Sequence, residues 1–191
     1  MKQLFFIISF FFATTLYAQE IQIQASKQQQ KFVAEHIETI DKHTLYGYGE
    51  IAINNAESAY MQTFYEYNMG LVSLHGEYRS FLYQGYSWQN SFFAGISLSL
   101  VSNNRCYFNI APLYRYENKS MWQATATYGC NYKRITFDGY FDFYGDKNIN
   151  AFSENKIKLS IGRFFVGTNI EFILSNSYSK VNPYFMIGIK L

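Results

Sequence analysis

The chain has 191 residues; 49% are apolar and 20% aromatic, with 19 Phe and 18 Tyr but only 2 Pro. Lys and Arg (16) nearly balance Asp and Glu (14), and the net charge of +2 gives no reason to propose a nucleic acid as a partner. The length suits one domain, and an aromatic, Pro-poor composition favours strands over helices.

Residues 1–18 read as a secretory signal, with Lys2 as basic flank, an apolar core at 4–12 and small residues before Gln19. Cleavage is expected after Ala18. An anchor helix is the alternative, but the run is well short of the roughly 20 apolar residues a helical span needs. No other segment is continuously apolar. Residues 19–191 are therefore expected to form one domain, either soluble outside the cytoplasm or a barrel in a bacterial outer membrane.

Residues 20–26 (EIQIQAS) alternate Ile21, Ile23 and Ala25 with Gln22, Gln24 and Ser26, the period of a strand. Residues 31–40 are less regular. Val33, Ile37 and Thr39 read as outward and Ala34, His36 and Glu38 as inward, with Glu35 breaking the pattern; a short helix competes. Residues 44–54 set Leu45, Ile51 and Ile53 against Tyr46, Tyr48 and Glu50. Residues 58–68 set Met61, Tyr65 and Tyr67 against Gln62, Phe64 and Glu66. Residues 71–80 set Val72, Leu74 and Tyr78 against Ser73, His75, Glu77 and Arg79. Asn54-Asn55 and Met69-Gly70 have turn chemistry. Residues 81–87 read as a longer aromatic loop. Residues 88–100 then set Phe92, Ile96 and Leu98 against Ser91, Phe93 and Ser97.

The clearest stretch is 105–144. Cys106, Phe108, Ile110, Pro112 and Tyr114 share one face, with Tyr107, Asn109, Leu113 and Arg115 on the other. Folding back about Asn118 sets Trp122 opposite Tyr114, Ala126 opposite Ile110 and Cys130 opposite Cys106, so apolar meets apolar along the ladder. A disulfide between Cys106 and Cys130 is one reading in an oxidising compartment; two small apolar residues facing lipid is the other. Ile135, Phe137, Phe141 and Phe143 follow, against Arg134, Asp138, Tyr140 and Asp142. Residues 145–152 read as a second longer loop. Strands at 155–163, 164–175 and 181–191 complete the chain, with Lys158 and Glu171 on polar faces and Pro183 expected near a rim or bulge.

The count is about twelve strands, or ten without 31–40. Long alternating strands with aromatic ends point to an all-β fold, an antiparallel transmembrane β-barrel with its apolar side toward outer-membrane lipid. With the N-terminus in the periplasm, the short turns share that side and the two longest loops lie outside.

At ~4.8 Å between strands and ~40° tilt, twelve strands enclose a backbone radius of about 12 Å. The inward candidates are Tyr48, Glu50, Glu66, His75, Glu77, Arg79, Phe93, Arg115, Arg134, Asp138, Tyr140, Asp142, Lys158 and Glu171. The bland reading is that these charges pair across the lumen and hold the barrel together. The functional one is a narrow path for a flat, polar, nucleoside-like solute, because aromatics beside carboxylates and Arg stack and hydrogen-bond. Mixed charge implies no strong preference between anions and cations. Phosphate-loop, Cys-x-x-Cys and His-x-x-x-His motifs are absent, so no catalytic residue, metal or cofactor is expected. Two alternatives stand: a closed structural or binding barrel, and a lipid-modifying enzyme. The enzyme needs a His–Ser pair from His36, His43 or His75.

Several segments carry a resemblance: SLHGEYRS (73–80), NSFFAGISLS (90–99), ITFDGYFDFYGDK (135–147), VGTNIEFILSNSYS (166–179) and VNPYFMIGIKL (181–191). They resemble the nucleoside-specific channel (Tsx-like) outer-membrane family, most of all its uncharacterised branch of small exported barrels. The first hairpin departs from that pattern, and the chain ends in Leu191 where an aromatic is usual. The resemblance implies a twelve-stranded barrel passing nucleosides or similar small solutes.

Overall fold

The computed structural model of the chain describes residues 18–53, 58–83, 87–117, 120–145, 149–176 and 178–191. Most of the 1–18 signal segment, the turn at Asn54-Asn55 and residues 84–86 lie outside them; residues 81–83 and 87, expected in a loop, instead extend β5 and β6 and pair with each other's strand. The described residues form twelve strands: β1 (Glu20–Ala25), β2 (Gln30–Ile40), β3 (His43–Ala52), β4 (Ala59–Asn68), β5 (Val72–Tyr83), β6 (Ser87–Ser102), β7 (Cys106–Tyr116), β8 (Ser120–Tyr132), β9 (Ile135–Gly145), β10 (Ile149–Ile161), β11 (Phe164–Ser175) and β12 (Tyr178–Lys190). Each pairs antiparallel with its neighbours in sequence, and β1 pairs with β12 to close the barrel. Closure pairs the wall all round except beside the short β1, where β12 keeps one unpaired side before Phe185, so nearly all backbone N–H and C=O groups of the described strands are satisfied within the wall.

The wall is apolar outside. Leu45, Leu74, Phe92, Leu100, Ile157, Leu174, Phe185 and Ile187 are exposed although large and hydrophobic, while Gln22, Gln24, Asn169 and Asp142 are fully buried inside. This inverts the arrangement of a protein in water, where an apolar patch of more than a few hundred Å² is unusual. Aromatics flank the belt, with Tyr65, Tyr132 and Phe164 toward one end and Tyr114, Tyr116 and Trp122 toward the other.

Five tight connections share one end with both termini. Asp41 and Lys133 open two of these turns at φ 55°, and Gly70 and Gly162 supply φ of 102° and 65° in two others. Inside the wall, Gly95 is required by a close approach, since a Cβ there would lie 2.3 Å from the carbonyl oxygen of Pro112.

The β7–β9 register is as the alternation predicts, including Cys106 opposite Cys130, Ile110 opposite Ala126 and Tyr114 opposite Trp122. The two cysteines are disulfide-bonded, with Cα atoms 4.1 Å apart. Three expectations need correction. Residues 31–40 do form a strand, but its faces are reversed: Lys31, Val33 and Glu35 point inward. Partners decide this, because Lys31 and Glu35 find opposite charges only inside the barrel. The 145–152 loop is shorter than expected, since β10 begins at Ile149 and pairs Ile149 with Gly145. Pro183 sits neither at a rim nor at a bulge; it faces Ile170 in an unbroken β11–β12 register. The β1–β12 ladder ends at Phe185, so β12 has a side without a neighbouring strand at Pro183, where a missing N–H is tolerated.

Candidate functional site

Alternation sends every second side chain into the lumen, where charges must find partners or water. Three networks result. The first runs from β4 to β9. His75 Nδ1 lies 2.9 Å from Glu66 Oε1 and its Nε2 lies 3.1 Å from Glu77 Oε2. Glu77 also accepts from Gln62 and from the Arg79 guanidinium. Arg79 Nη1 donates to Asp142 at 2.5 Å, and Asp142 accepts from Thr125 at 2.6 Å. The guanidinium lies 4.6 Å from the centre of the Phe93 ring, with Arg115 at 5.5 Å from the same ring. Arg115 itself pairs with Glu117 at 3.0 Å.

The second network crosses β2, β3, β11 and β12. Lys31 Nζ donates to Glu171 at 2.5 Å and Glu50 at 3.2 Å, and lies 4.6 Å from the centre of the Tyr184 ring. Tyr48 donates to Glu50 and Asn182 to Glu171. The third lies nearer the termini. Lys158 pairs with Glu20 at 2.7 Å and Asp138 at 3.4 Å, Lys156 with Glu35 at 3.7 Å, and Lys190 with Glu20 at 3.9 Å. Tyr46 donates to Glu35.

These networks enclose a cavity of about 870 Å³. Its lining starts at Gln19, Lys190 and Leu191, at the end that carries the termini, and runs inward to Arg79, Thr125 and Glu154. Tyr46, Tyr48, Phe64, Tyr107 and Tyr140 give it aromatic walls. Tyr46 and Phe64 stack with ring centres 4.7 Å apart. The Arg79–Asp142 pair joins β5 to β9 past three strands, and the Lys31–Glu171 pair joins β2 to β11 past β1 and β12, both in the strand halves remote from the short turns.

Of the sequence candidates, Tyr48, Glu66, His75, Glu77, Arg79, Asp138, Tyr140 and Lys158 line the cavity. Glu50, Arg115, Asp142 and Glu171 belong to the networks beside or beyond it. Phe93 is buried in a small apolar cluster with Ala111 and Leu113. Arg134 is displaced: it occupies the exposed turn between β8 and β9, because the hairpin reverses there instead of extending the alternation by one residue. Sequence reading missed Lys31 and Glu35 through the reversed β2 faces, and Glu154 because β10 was begun too late. Carrying the alternation of Lys158 and Lys156 back two residues finds Glu154. It is 4% exposed and accepts a hydrogen bond from Asn169 at 2.5 Å.

Among the described residues the histidines contact groups other than Ser: His75 bonds two carboxylates, His43 the Tyr65 hydroxyl at 2.6 Å, and His36 faces Glu38 at 3.8 Å. Among the described residues no three His, Cys, Asp or Glu side chains converge as a metal site.

No family model matches the sequence, and no curated protein matches it. The fold is similar to solved outer-membrane porins. The KdgM porin aligns with a TM-score of 0.61 at 8% identity, over 90% of this chain and 98% of that one. The NanC porin aligns with the same TM-score, identity and coverage. A second KdgM structure, described as a complex with disordered oligogalacturonate, aligns at 0.60 and 8% identity over the same shares of each chain. At such identities the similarity is one of fold: a closed antiparallel barrel of the outer-membrane porin architecture.

Proposed function

We propose that the chain is an outer-membrane channel for small polar solutes. The observation that carries this reading is the pairing of an apolar outer belt with a polar cavity of about 870 Å³ that reaches the terminal end of the barrel. The belt suits lipid and the cavity suits a solute the size of a nucleoside. Porin-like architecture supports the same reading and gives no support to an enzyme. In this orientation the short turns and termini face the periplasm, and solute enters past the longer connections.

The aromatic walls favour a flat solute. Tyr46, Tyr48 and Tyr140 line the cavity, with Tyr46 bonded to Glu35 and Tyr48 to Glu50, a setting in which a base stacks while its polar edge is bonded. A nucleoside fits this description better than a polyuronate such as that in the KdgM complex, because carboxylates here outnumber cations. The Arg79–Asp142 bridge is the constriction through which such a solute passes. Planar-bilayer conductance of the purified protein, with and without nucleosides, tests the reading. Steady current that nucleosides reduce is the expected result; absence of both current and solute-driven liposome swelling would refute it.

A further inference from the structure

The charge of the lumen has a sign. Lys31, Arg79, Arg115, Lys156, Lys158 and Lys190 each have a carboxylate within 4.0 Å, and Lys31, Arg79 and Lys158 each have two. Two cavity carboxylates have neither Lys nor Arg within that distance among the described residues. Glu66 is paired with His75 at 2.9 Å, and among the described residues Glu154 meets the Asn169 amide with no cationic side chain within 4.0 Å. Glu154 is more than nine-tenths buried and lines the cavity, and the Oδ1 of the adjoining Asn169 has no hydrogen-bond partner among the described residues. A buried carboxylate such as Glu154, without a counter-ion at contact distance, is costly; a cation entering the cavity reduces that cost, and Glu66 adds a second carboxylate that only a histidine offsets. The chain as a whole carries +2, so its basic excess lies elsewhere; Lys42, Arg105, Lys133, Arg134 and Arg163 occupy exposed positions at the short turns.

We infer that the lumen selects cations over anions, and that Glu66 and Glu154 set this preference by drawing a small organic cation into the cavity. An excess of one sign on low-dielectric walls concentrates counter-ions, and six carboxylates line the cavity, Glu20, Glu35, Glu66, Glu77, Asp138 and Glu154, against four Lys and Arg side chains. Tyr46, Tyr48 and Tyr140 add ring faces on which an ammonium or guanidinium rests. Lys156 already does this, with its Nζ 5.3 Å from the centre of the Tyr48 ring. This reading departs from the sequence expectation of no strong preference between anions and cations. The transport half of this inference rests on the channel reading; the binding half does not.

The test is the reversal potential of the purified protein in a planar bilayer across a KCl gradient. The expected potassium-over-chloride permeability ratio is above one and at most roughly tenfold, because cations also line the cavity and a cleft of a single sign gives tenfold at its low end. Glu154→Gln with Glu66→Gln should reduce it several-fold, and Glu38→Gln, outside the lumen, should leave it unchanged. Gln keeps the Asn169 and His75 hydrogen bonds, and heat-modified gel mobility reports whether each variant folds. A wild-type ratio at or below one overturns the inference, and so does a ratio that the double substitution leaves intact. A complete lack of current refutes the channel instead. Calorimetric titration of the detergent-solubilised protein then decides: tetramethylammonium chloride should bind more tightly than sodium pivalate, an anion of similar size. Equal binding, or binding of neither, overturns it.

Discussion

Arg79 on β5 and Asp142 on β9 are joined at 2.5 Å although β6, β7 and β8 lie between them in the wall. The bond is therefore a chord across the lumen. Glu77 holds the same guanidinium from its own strand, Thr125 holds Asp142, and Phe93 lies beneath the cation. Each restraint stiffens the bridge at the place where the cavity ends.

Arg79→Ala should open this bridge. It removes one partner from two buried carboxylates, so stability should fall by about 3 kcal/mol, while single-channel conductance should rise. Urea titration and bilayer recording measure the two effects. Unchanged conductance in a folded variant would show that the bridge does not limit the path.

Arg substitutions separate the two faces of the wall. Ile110→Arg or Ala126→Arg, a facing pair on the outer surface of β7 and β8, should cost about 2–4 kcal/mol where they sit in mid-bilayer. Thr127→Arg, which points into the cavity, should be milder. Thr125 is the poorer control, since it donates to Asp142. Folding yields into detergent or liposomes rank the variants, and equal damage from both faces would contradict the barrel's inside-out assignment.

Tyr140 and Phe93 should behave differently. Tyr140 lines the cavity, so Tyr140→Ala should weaken a stacked nucleoside by roughly 1–3 kcal/mol. Phe93 is packed against Ala111 and Leu113 beneath Arg79. Phe93→Ala should cost about 3–5 kcal/mol of stability, with a smaller direct effect on solute affinity. Nucleoside block of the current and denaturant midpoints distinguish the two roles.

Reducing the Cys106–Cys130 bond should destabilise the barrel by up to about 3 kcal/mol, the entropy of closing a loop with a sequence separation of 24. The ladder already holds these strands, so the loss should fall below that ceiling. Denaturation with and without reductant measures it, and Cys130→Ser should reproduce the reduced value.

How legible each part was follows from how many side chains had to agree. In β7–β9 every second residue is apolar over three consecutive strands, and one hairpin register satisfies all of them, so even the Cys106–Cys130 opposition was readable. In β2 the apolar residues Val33, Ala34 and Ile37 occupy both parities, and local pattern gives no answer. Its faces are decided by Glu50 and Glu171 on Lys31, and by Lys156 on Glu35, strands that are distant in sequence. At the start of β10 the polar run Gly145-Asp146-Lys147-Asn148 resembles a loop, and it masked the alternation that begins at Ile149 and places Glu154 inside. Parity thus reveals which residues enter the lumen. It does not reveal which charges are left without a counter-ion, because pairing is settled across the barrel and not along a strand.

The first strand is short. β1 has six residues and makes six pairs with each neighbour, whereas β11 and β12 are matched over twelve. Beyond Ala25 the gap between β2 and β12 is spanned by side chains: Tyr184 donates to Gln29, and Lys31 reaches Glu171 past the Tyr184 ring. The cylinder therefore has a built-in seam, half laced by backbone and half by these polar contacts. Strain from a crowded or thinning bilayer should part the wall there first, because fewer backbone hydrogen bonds cross that line than any other in the barrel.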